Sequence, residues 1–385
     1  MITNRDIIIF NDDWGRYPST LQHIAKVLLK NNNRVFWIGS LGLRKPKINL
    51  SDLKRALQKI VKIFFKSKKN KIISGIEPIL VHPFVLPFHD FQFIRVLNKF
   101  FITKKIKKTL KKYGSENPII VTSAPISDFV IGELGETCSI YYCLDDYSSM
   151  EGAFKVIPFL EKKIIEKVDG IFAVSDFLYQ SRKSNKKNIF LIQQGVELNH
   201  FHKTEQLADE VKYLKRPVIG FFGLISEWID LDLIYKCTKK YSEYTFVIIG
   251  KTLLNFSHFD DCKNFVYLGP IEYRDLPKYA SVFDVGIIPF QLNKVTVAAN
   301  PLKLLEYFSL GIPVVSTNLP EVKKFDNLVY IAENDDEFIR FIEIAVSDNL
   351  HERNQKRIYE AKKYSWESVT ENIFDIVLKI ESEKK

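Results

Sequence analysis

Cysteine is scarce in this 385-residue chain, with four copies (Cys138, Cys143, Cys237, Cys262) and no CxxC spacing. That excludes a disulfide framework and a zinc-ribbon pattern, and leaves buried, reduced thiols as the expectation. No apolar run approaches the ~18 residues that a membrane-crossing helix needs. The opening MITNRDIIIFNDDWG lacks the charged-then-apolar order of a signal peptide and reads instead as a first strand. A protein held in the cytoplasm is therefore expected. Acid is missing from two segments: residues 51–71 carry eight Lys/Arg against one Asp, and residues 92–113 carry eight against none. The whole chain is only +10, so its basicity is local and the remainder is slightly acidic. There is no internal repeat. Gly39–Gly42 is too short a match for a dinucleotide fingerprint.

What is present is an alternation of short β-branched runs with longer amphipathic stretches, the pattern of parallel sheets wrapped by helices. Strands are expected at Asp6–Phe10, Arg34–Ile38, Ile79–His82, Ile119–Thr122, Ser139–Leu144, Gly170–Val174 and Ile189–Ile192. A second set is expected at Val218–Phe222, Thr245–Ile249, Phe265–Leu268, Val285–Pro289, Val314–Ser316 and Leu328–Ile331. The polar stretch Val196–Arg216 between the sets reads as a linker. The division expected is residues 1–200, residues 201–365, and a final helix in 366–385 capped by Ser365. Spacing alone leaves open whether that helix packs on its own domain or crosses back to the first. The fold class is α/β, with two doubly wound Rossmann-like domains facing a central cleft.

Asp284–Pro320 is the most informative stretch, a strand, loop, helix, turn and strand. A helix starting near Asn300–Pro301 and stopped by Gly311 and Pro313 offers free N–H groups to an anion, and Lys303 adds a charge there. Glu306, three residues on, shares its face. A cation for phosphates beside a carboxylate for sugar hydroxyls suits a nucleotide diphosphate. A solvated ion pair on a surface helix is the plain alternative.

The stretch NPLKLLEY resembles the donor-binding region of bacterial GT-B glycosyltransferases of group 1, and is similar to that of xanthan-type glucuronosyltransferases. RPVIGFFGLISEWIDLDLI, NFVYLGPIEYRDLPKYASVFDVGIIPF and GIFAVSDFLYQ…IFLIQQGVELNHF resemble further parts of the same family, from about Ser139 to Trp366. The resemblance implies a GT-B fold and transfer of a sugar from a nucleotide-diphosphate sugar, a UDP-sugar being favoured. It implies that Lys303 meets the diphosphate; Asn300 and Pro301 at the helix start and Gly223 after the first strand of the second set are further donor-site candidates. Glu306 would bind ribose or sugar hydroxyls, and the backbone around Gly269–Ile271, Pro270 and Ile271 in particular, would hold the base with Tyr273. Two departures stand out. Ala298 replaces a Glu of the common pattern, and the loop Gly223–Trp228 lacks the usual Arg and Lys. No metal or other cofactor is expected.

Asp145 and Asp146 follow a strand, at the end where open α/β sheets place ligands, and are the candidates for catalytic base. A turn or cap role is the alternative for either. Trp14 and Arg16, after the first strand, are candidates for acceptor contact. Asp230-Leu231-Asp232 falls where a helix should start and needs no metal. In 51–71, Leu53, Leu57, Ile60, Val61 and Phe64 fall at helical spacing, and in 92–113 Phe93, Val96, Leu97, Phe100 and Phe101 do. Both segments are basic amphipathic helix candidates that suit an anionic membrane surface, with no base-reading motif to suggest nucleic acid. The expectation is a peripheral enzyme at the inner face of the cell membrane, acting on a lipid-linked or polysaccharide acceptor. A non-catalytic nucleotide-sugar or polysaccharide-binding subunit and a GT-B epimerase are the alternatives.

Overall fold

The computed structural model describes residues 1–16, 18–42, 77–150, 152–183, 188–252, 254–348 and 350–384. The basic segment 51–71 lies outside the described residues. The chain divides into two compact units. The first comprises residues 1–172, 182–190 and 370–385, and the second residues 173–181 and 191–369.

Among the described residues of the first unit, strands β1 (Asp6–Phe10), β2 (Arg34–Ile38), β3 (Ile79–Val81), β4 (Ile119–Thr122), β5 (Cys138–Cys143), β6 (Gly170–Ala173) and β7 (Asn188–Leu191) form one sheet. Its order is β3-β2-β1-β4-β5-β6-β7. In the second, β8 (Val218–Phe222), β9 (Thr245–Ile249), β10 (Phe265–Gly269), β11 (Val285–Ile288), β12 (Val314–Thr317) and β13 (Val329–Ala332) follow the order β10-β9-β8-β11-β12-β13. Both orders read outward from the first strand in two directions, and β1–β4 and β8–β11 pair in parallel. That reversal is the switch point beside which doubly wound sheets bind ligands, outside the carboxyl ends of the strands. All thirteen strands expected from sequence are present, with ends shifted by at most one residue.

The central strands are apolar on both faces because helices cover both. Ile7, Ile8, Ile9 and Phe10 are fully buried, as are Ile219 and Phe221. Each such side chain contributes about 1.5–3 kcal/mol by leaving water. The stretch Val196–Arg216 is not a free linker. Val196 forms a bridge to Ser365, and Phe201 and Val211 are buried in the second unit's core. Its apolar residues are spaced too irregularly for a helix or strand pattern, so its anchoring is not visible in a periodicity reading. Residues 191–200 accordingly belong to the second unit rather than the first.

Ser365 caps the last helix, Trp366–Glu383, through its hydroxyl and the Ser368 N–H at 3.1 Å. From Thr370 onward that helix groups with the first unit. Glu381 takes both Arg5 N–H donors at 2.6 and 3.1 Å, and Lys384 reaches Asp169 at 2.9 Å.

Candidate functional site

In the second unit the carboxyl ends of β8 and β9 run into Gly223 and Gly250, with φ of +148° and +149°. Only glycine adopts this region without strain. A Cβ on Gly250 would collide with the Gly223 carbonyl oxygen. One on Gly223 would collide with the Lys303 side chain and stand 2.7 Å from its Nζ. The lysine stem therefore lies directly on the backbone at the end of β8, which places its ammonium at the switch point of this sheet.

Lys303 projects from the first turn of the helix Leu302–Ser309, whose N-cap is Pro301 and which has no side-chain cap. The loop before it is tied down on both sides. Ser175 Oγ donates to the Ala298 carbonyl at 2.7 Å. Asn300 Nδ2 donates to the Val174 carbonyl at 2.9 Å and to Gln193 Oε1 at 3.2 Å. Asn300 thus spends its amide on holding the helix start rather than facing outward. Farther along, the buried Tyr307 hydroxyl donates to the Gly220 carbonyl at 3.3 Å and fixes the helix over β8. The helix ends as the sequence indicates, with Gly311 at φ +73°.

Lys303 and Glu306 are half-buried on one face, yet no hydrogen bond or ion pair within 4 Å ties either to another described residue. A lysine in an uncapped first turn is also opposed by the positive end of the helix dipole, by about 0.3–1 kcal/mol. An anion bound there reverses the sign of that interaction and satisfies the open N–H groups. Burial pushes the Glu306 carboxyl above its ordinary value, an effect that the Lys303 charge only partly offsets. A carboxyl raised in the folded state costs stability at pH above its raised value, and that cost disappears as pH falls to the ordinary carboxylate range. Glu306→Gln should therefore leave the free protein at least as stable as wild type at pH 7. It should also weaken use of a hydroxyl-bearing ligand held at this face by about 10–100-fold, the value of a hydrogen bond to a charged group. Unfolding midpoints and kcat/KM measured on the same preparation check this, and a large loss of stability would sink it.

Tyr273 stands next to this pair. Burial raises its hydroxyl well above the ordinary value, and the charges of Glu306 and Glu197 raise it further. Its hydroxyl donates to Glu197 Oε2 at 3.4 Å, and its ring stacks on His200 with centroids 4.4 Å apart. His200 Nε2 donates to the Tyr273 carbonyl at 2.8 Å. Gly269 O accepts from the Gly250 N–H at 2.8 Å, which joins the Pro270–Ile271 turn to the glycine floor. Pro270 is exposed and Ile271 half-buried. The structure thus gathers Gly223, Lys303, Glu306 and Tyr273 around the ends of β8–β10. Asp230, by contrast, caps the helix Leu231–Lys240 by accepting from the Leu233 N–H at 2.9 Å.

In the first unit the two aspartates after β5 differ. Asp146 accepts from Ser149 Oγ at 2.6 Å, Ser148 Oγ at 2.7 Å and Arg182 Nη2 at 2.8 Å. Burial alone would raise its pKa, but these hydrogen bonds outweigh it and hold the carboxyl below its ordinary value. Arg182 also reaches Glu161, which accepts from the Tyr141 hydroxyl at 2.8 Å. Asp146 is committed to this network. Asp145 is half-buried, and its charge adds to burial in raising the Tyr147 hydroxyl, where Asp12 is felt too. Asn11 bridges Ser123 and Ser19, which ties the end of β1 to the end of β4 and to the start of the helix that follows Ser19. Trp14 packs edge-on against Trp37 at 4.9 Å, and Arg16 is exposed.

Residues 216–348 match the family model described as glycosyl transferases group 1. This stretch is a group 1 glycosyltransferase domain. Glycosyltransferase resemblance extends beyond it. TuaH of Bacillus subtilis (strain 168), named for teichuronic acid biosynthesis, is 30% identical over 199 residues, covering 49% of this chain and 50% of that protein. The chain spans about half the length of the curated relatives it matches. In fold, sucrose-phosphate synthase from Thermosynechococcus elongatus superposes with a TM-score of 0.73 at 13% identity over 99% of this chain and all of that one. HepE of Anabaena, solved with UDP, does so with 0.67 at 11% identity, over 97% and 100%. The fold is GT-B, with the group 1 domain carrying the Lys303 site.

Several residues around the Lys303 helix start escape a sequence reading. Ser175 and Gln193 come from before the domain and hold its loop from 123 and 107 residues away. Ser175 had one visible signal, its place as an N-cap in VSDF. Gly250 closes a strand in VIIGK, a signal of close backbone approach. Glu197 and His200 sit in the polar stretch read as linker.

Proposed function

We propose that this protein transfers a sugar from a UDP-sugar to a glycan acceptor during assembly of a bacterial surface polysaccharide. One observation carries the donor assignment: Lys303 and Glu306, without partners among the described residues, share a face at an uncapped helix start over the end of β8. In this reading Lys303 and the helix N–H groups take the diphosphate and no metal is needed. Glu306 takes the ribose or sugar hydroxyls, and the turn at Pro270–Ile271 with Tyr273 holds the base. The UDP and UDP-glucose complexes of HepE, of the same fold, favour uracil, and the name of TuaH favours a surface polysaccharide. Asp145 is the base that takes the proton from the acceptor hydroxyl, since Asp146 is held by Arg182. Trp14 and Arg16 contact the acceptor, which is lipid-linked or polymeric and presented at the inner face of the membrane.

A thermal-shift titration with UDP, GDP, ADP and CDP, with and without EDTA, tests the donor half. UDP should raise the melting temperature saturably, by an amount that EDTA leaves unchanged, and the other three should do less. No shift with any diphosphate would overturn the site. A UDP shift without hydrolysis or transfer of any UDP-sugar would favour a binding subunit.

A further inference from the structure

The helix Gln92–Lys112 carries more apolar surface than its packing uses. Ile94, Ile102, Ile106 and Leu110 are buried, and Asn98 clamps Leu86 through the backbone N–H and carbonyl at 2.8 and 2.9 Å. These residues face the first unit. The stripe of Phe93, Val96, Leu97, Phe100 and Phe101 points the other way, with Phe93 63% and Val96 62% exposed. Phe88 and Phe91, from the approach to the helix, are exposed with them. Soluble monomers rarely expose contiguous apolar patches beyond a few hundred Å2.

The exposed face is also divided along its length. Four residues on from Phe100 the same face continues at Lys104, and by further steps of three and four at Lys107, Lys108 and Lys111. Lys104 lies over the Phe100 ring at 5.3 Å. Among the described residues, Lys99 alone of the helix lysines has an ion-pair partner, Glu133 at 2.6 Å. The helix is about 30 Å long, so one half is aromatic and the other cationic.

We propose that this face docks on an anionic lipid bilayer, with the aromatic half sunk among acyl chains and the lysine half at the phosphate headgroups. The proposal refines the membrane placement of the acceptor given above and leaves the donor site untouched. A second copy of the chain is disfavoured as occupant because this helix carries no Asp or Glu to meet the lysines of its partner. Lipid phosphates complement them, and in-plane helices of this kind bury their apolar face at the headgroup boundary.

The test uses the full chain with vesicles of phosphatidylcholine mixed with phosphatidylglycerol, and with phosphatidylcholine alone. Wild type should sediment with the anionic vesicles. F93S/F100S should lower partitioning about tenfold or more, and K104Q/K108Q should weaken it in low salt only. A tryptophan placed by Leu97→Trp should shift to the blue on vesicles and be quenched by brominated acyl chains, whereas one placed by Lys111→Trp should not. Absent wild-type binding, unchanged binding of F93S/F100S, or equal quenching at both positions would overturn the proposal. So would a sedimenting dimer that F93S/F100S dissociates. The UDP thermal shift, run on the same variants, keeps the two readings apart. An intact shift with lost vesicle binding supports the docking face, whereas a missing shift in wild type strikes only the donor site.

Discussion

Lys303→Ala should lower kcat/KM for the nucleotide-sugar by about 10²–10³-fold while the protein stays folded. That is the value of one preorganised charge donor in a water-poor site. The fold should survive because Lys303 has no hydrogen bond or ion pair to lose among the described residues. Removing a cation from the positive end of the helix dipole should even help the free protein slightly. Lys303→Arg should rescue little. The lysine stem rests on Gly223, and a planar guanidinium does not reproduce the compact, freely rotating ammonium at its end. Initial rates with a UDP-sugar, together with the UDP thermal shift, check both variants. An unchanged rate for Lys303→Ala would remove the central residue from the site.

Arg182→Met should destabilise the protein by about 3–5 kcal/mol, since removing one member of a buried ion network leaves its partners charged and unpaired. The partners are Asp146 at 2.8 Å and Glu161 at 3.1 Å, and all three side chains are at most 10% exposed. The pH dependence has a definite sign. Asp146 is held below its ordinary value, so its contribution is complete above the ordinary carboxylate range and is lost as pH falls through the lowered value. In Arg182→Met the arginine's share of that contribution is gone while the Ser148 and Ser149 hydrogen bonds stay, and the gap between variant and wild type should narrow on acidification. Urea unfolding at pH 7 and at successively lower pH measures it. A gap that stays constant would show that the loss is one of packing rather than charge.

The strands were legible because parallel strands buried on both faces are short runs of Ile, Val and Phe between turn signals, as in Asp6–Phe10 and Val218–Phe222. Lys303 and Glu306 were legible because both lie in one continuous helix, where spacing fixes the shared face. Their isolation was not, since it depends on what else reaches them. The Arg182 network was invisible for the converse reason: its members are 36 and 21 residues apart and meet only once β5 and two helices are in place. The helix Gln92–Lys112 shows a different limit. Its sequence contains two apolar stripes, Ile94–Leu110 and Phe93–Phe101, and spacing cannot say which one the sheet takes. The sheet takes the isoleucines, and the phenylalanines stay outside.

The glycine floor also limits how this protein can change. In a scan of every amino acid at every position, 223 and 250 should each accept nothing but what they have, both because their φ is open only to glycine and 250 also because a carbonyl oxygen stands where a Cβ would go. Leu224, immediately beside them and 53% exposed, should accept many replacements. A lineage drifting toward a new donor therefore inherits an invariant base plate and a variable rim. Altered preference for a sugar should be written in the loops around the plate.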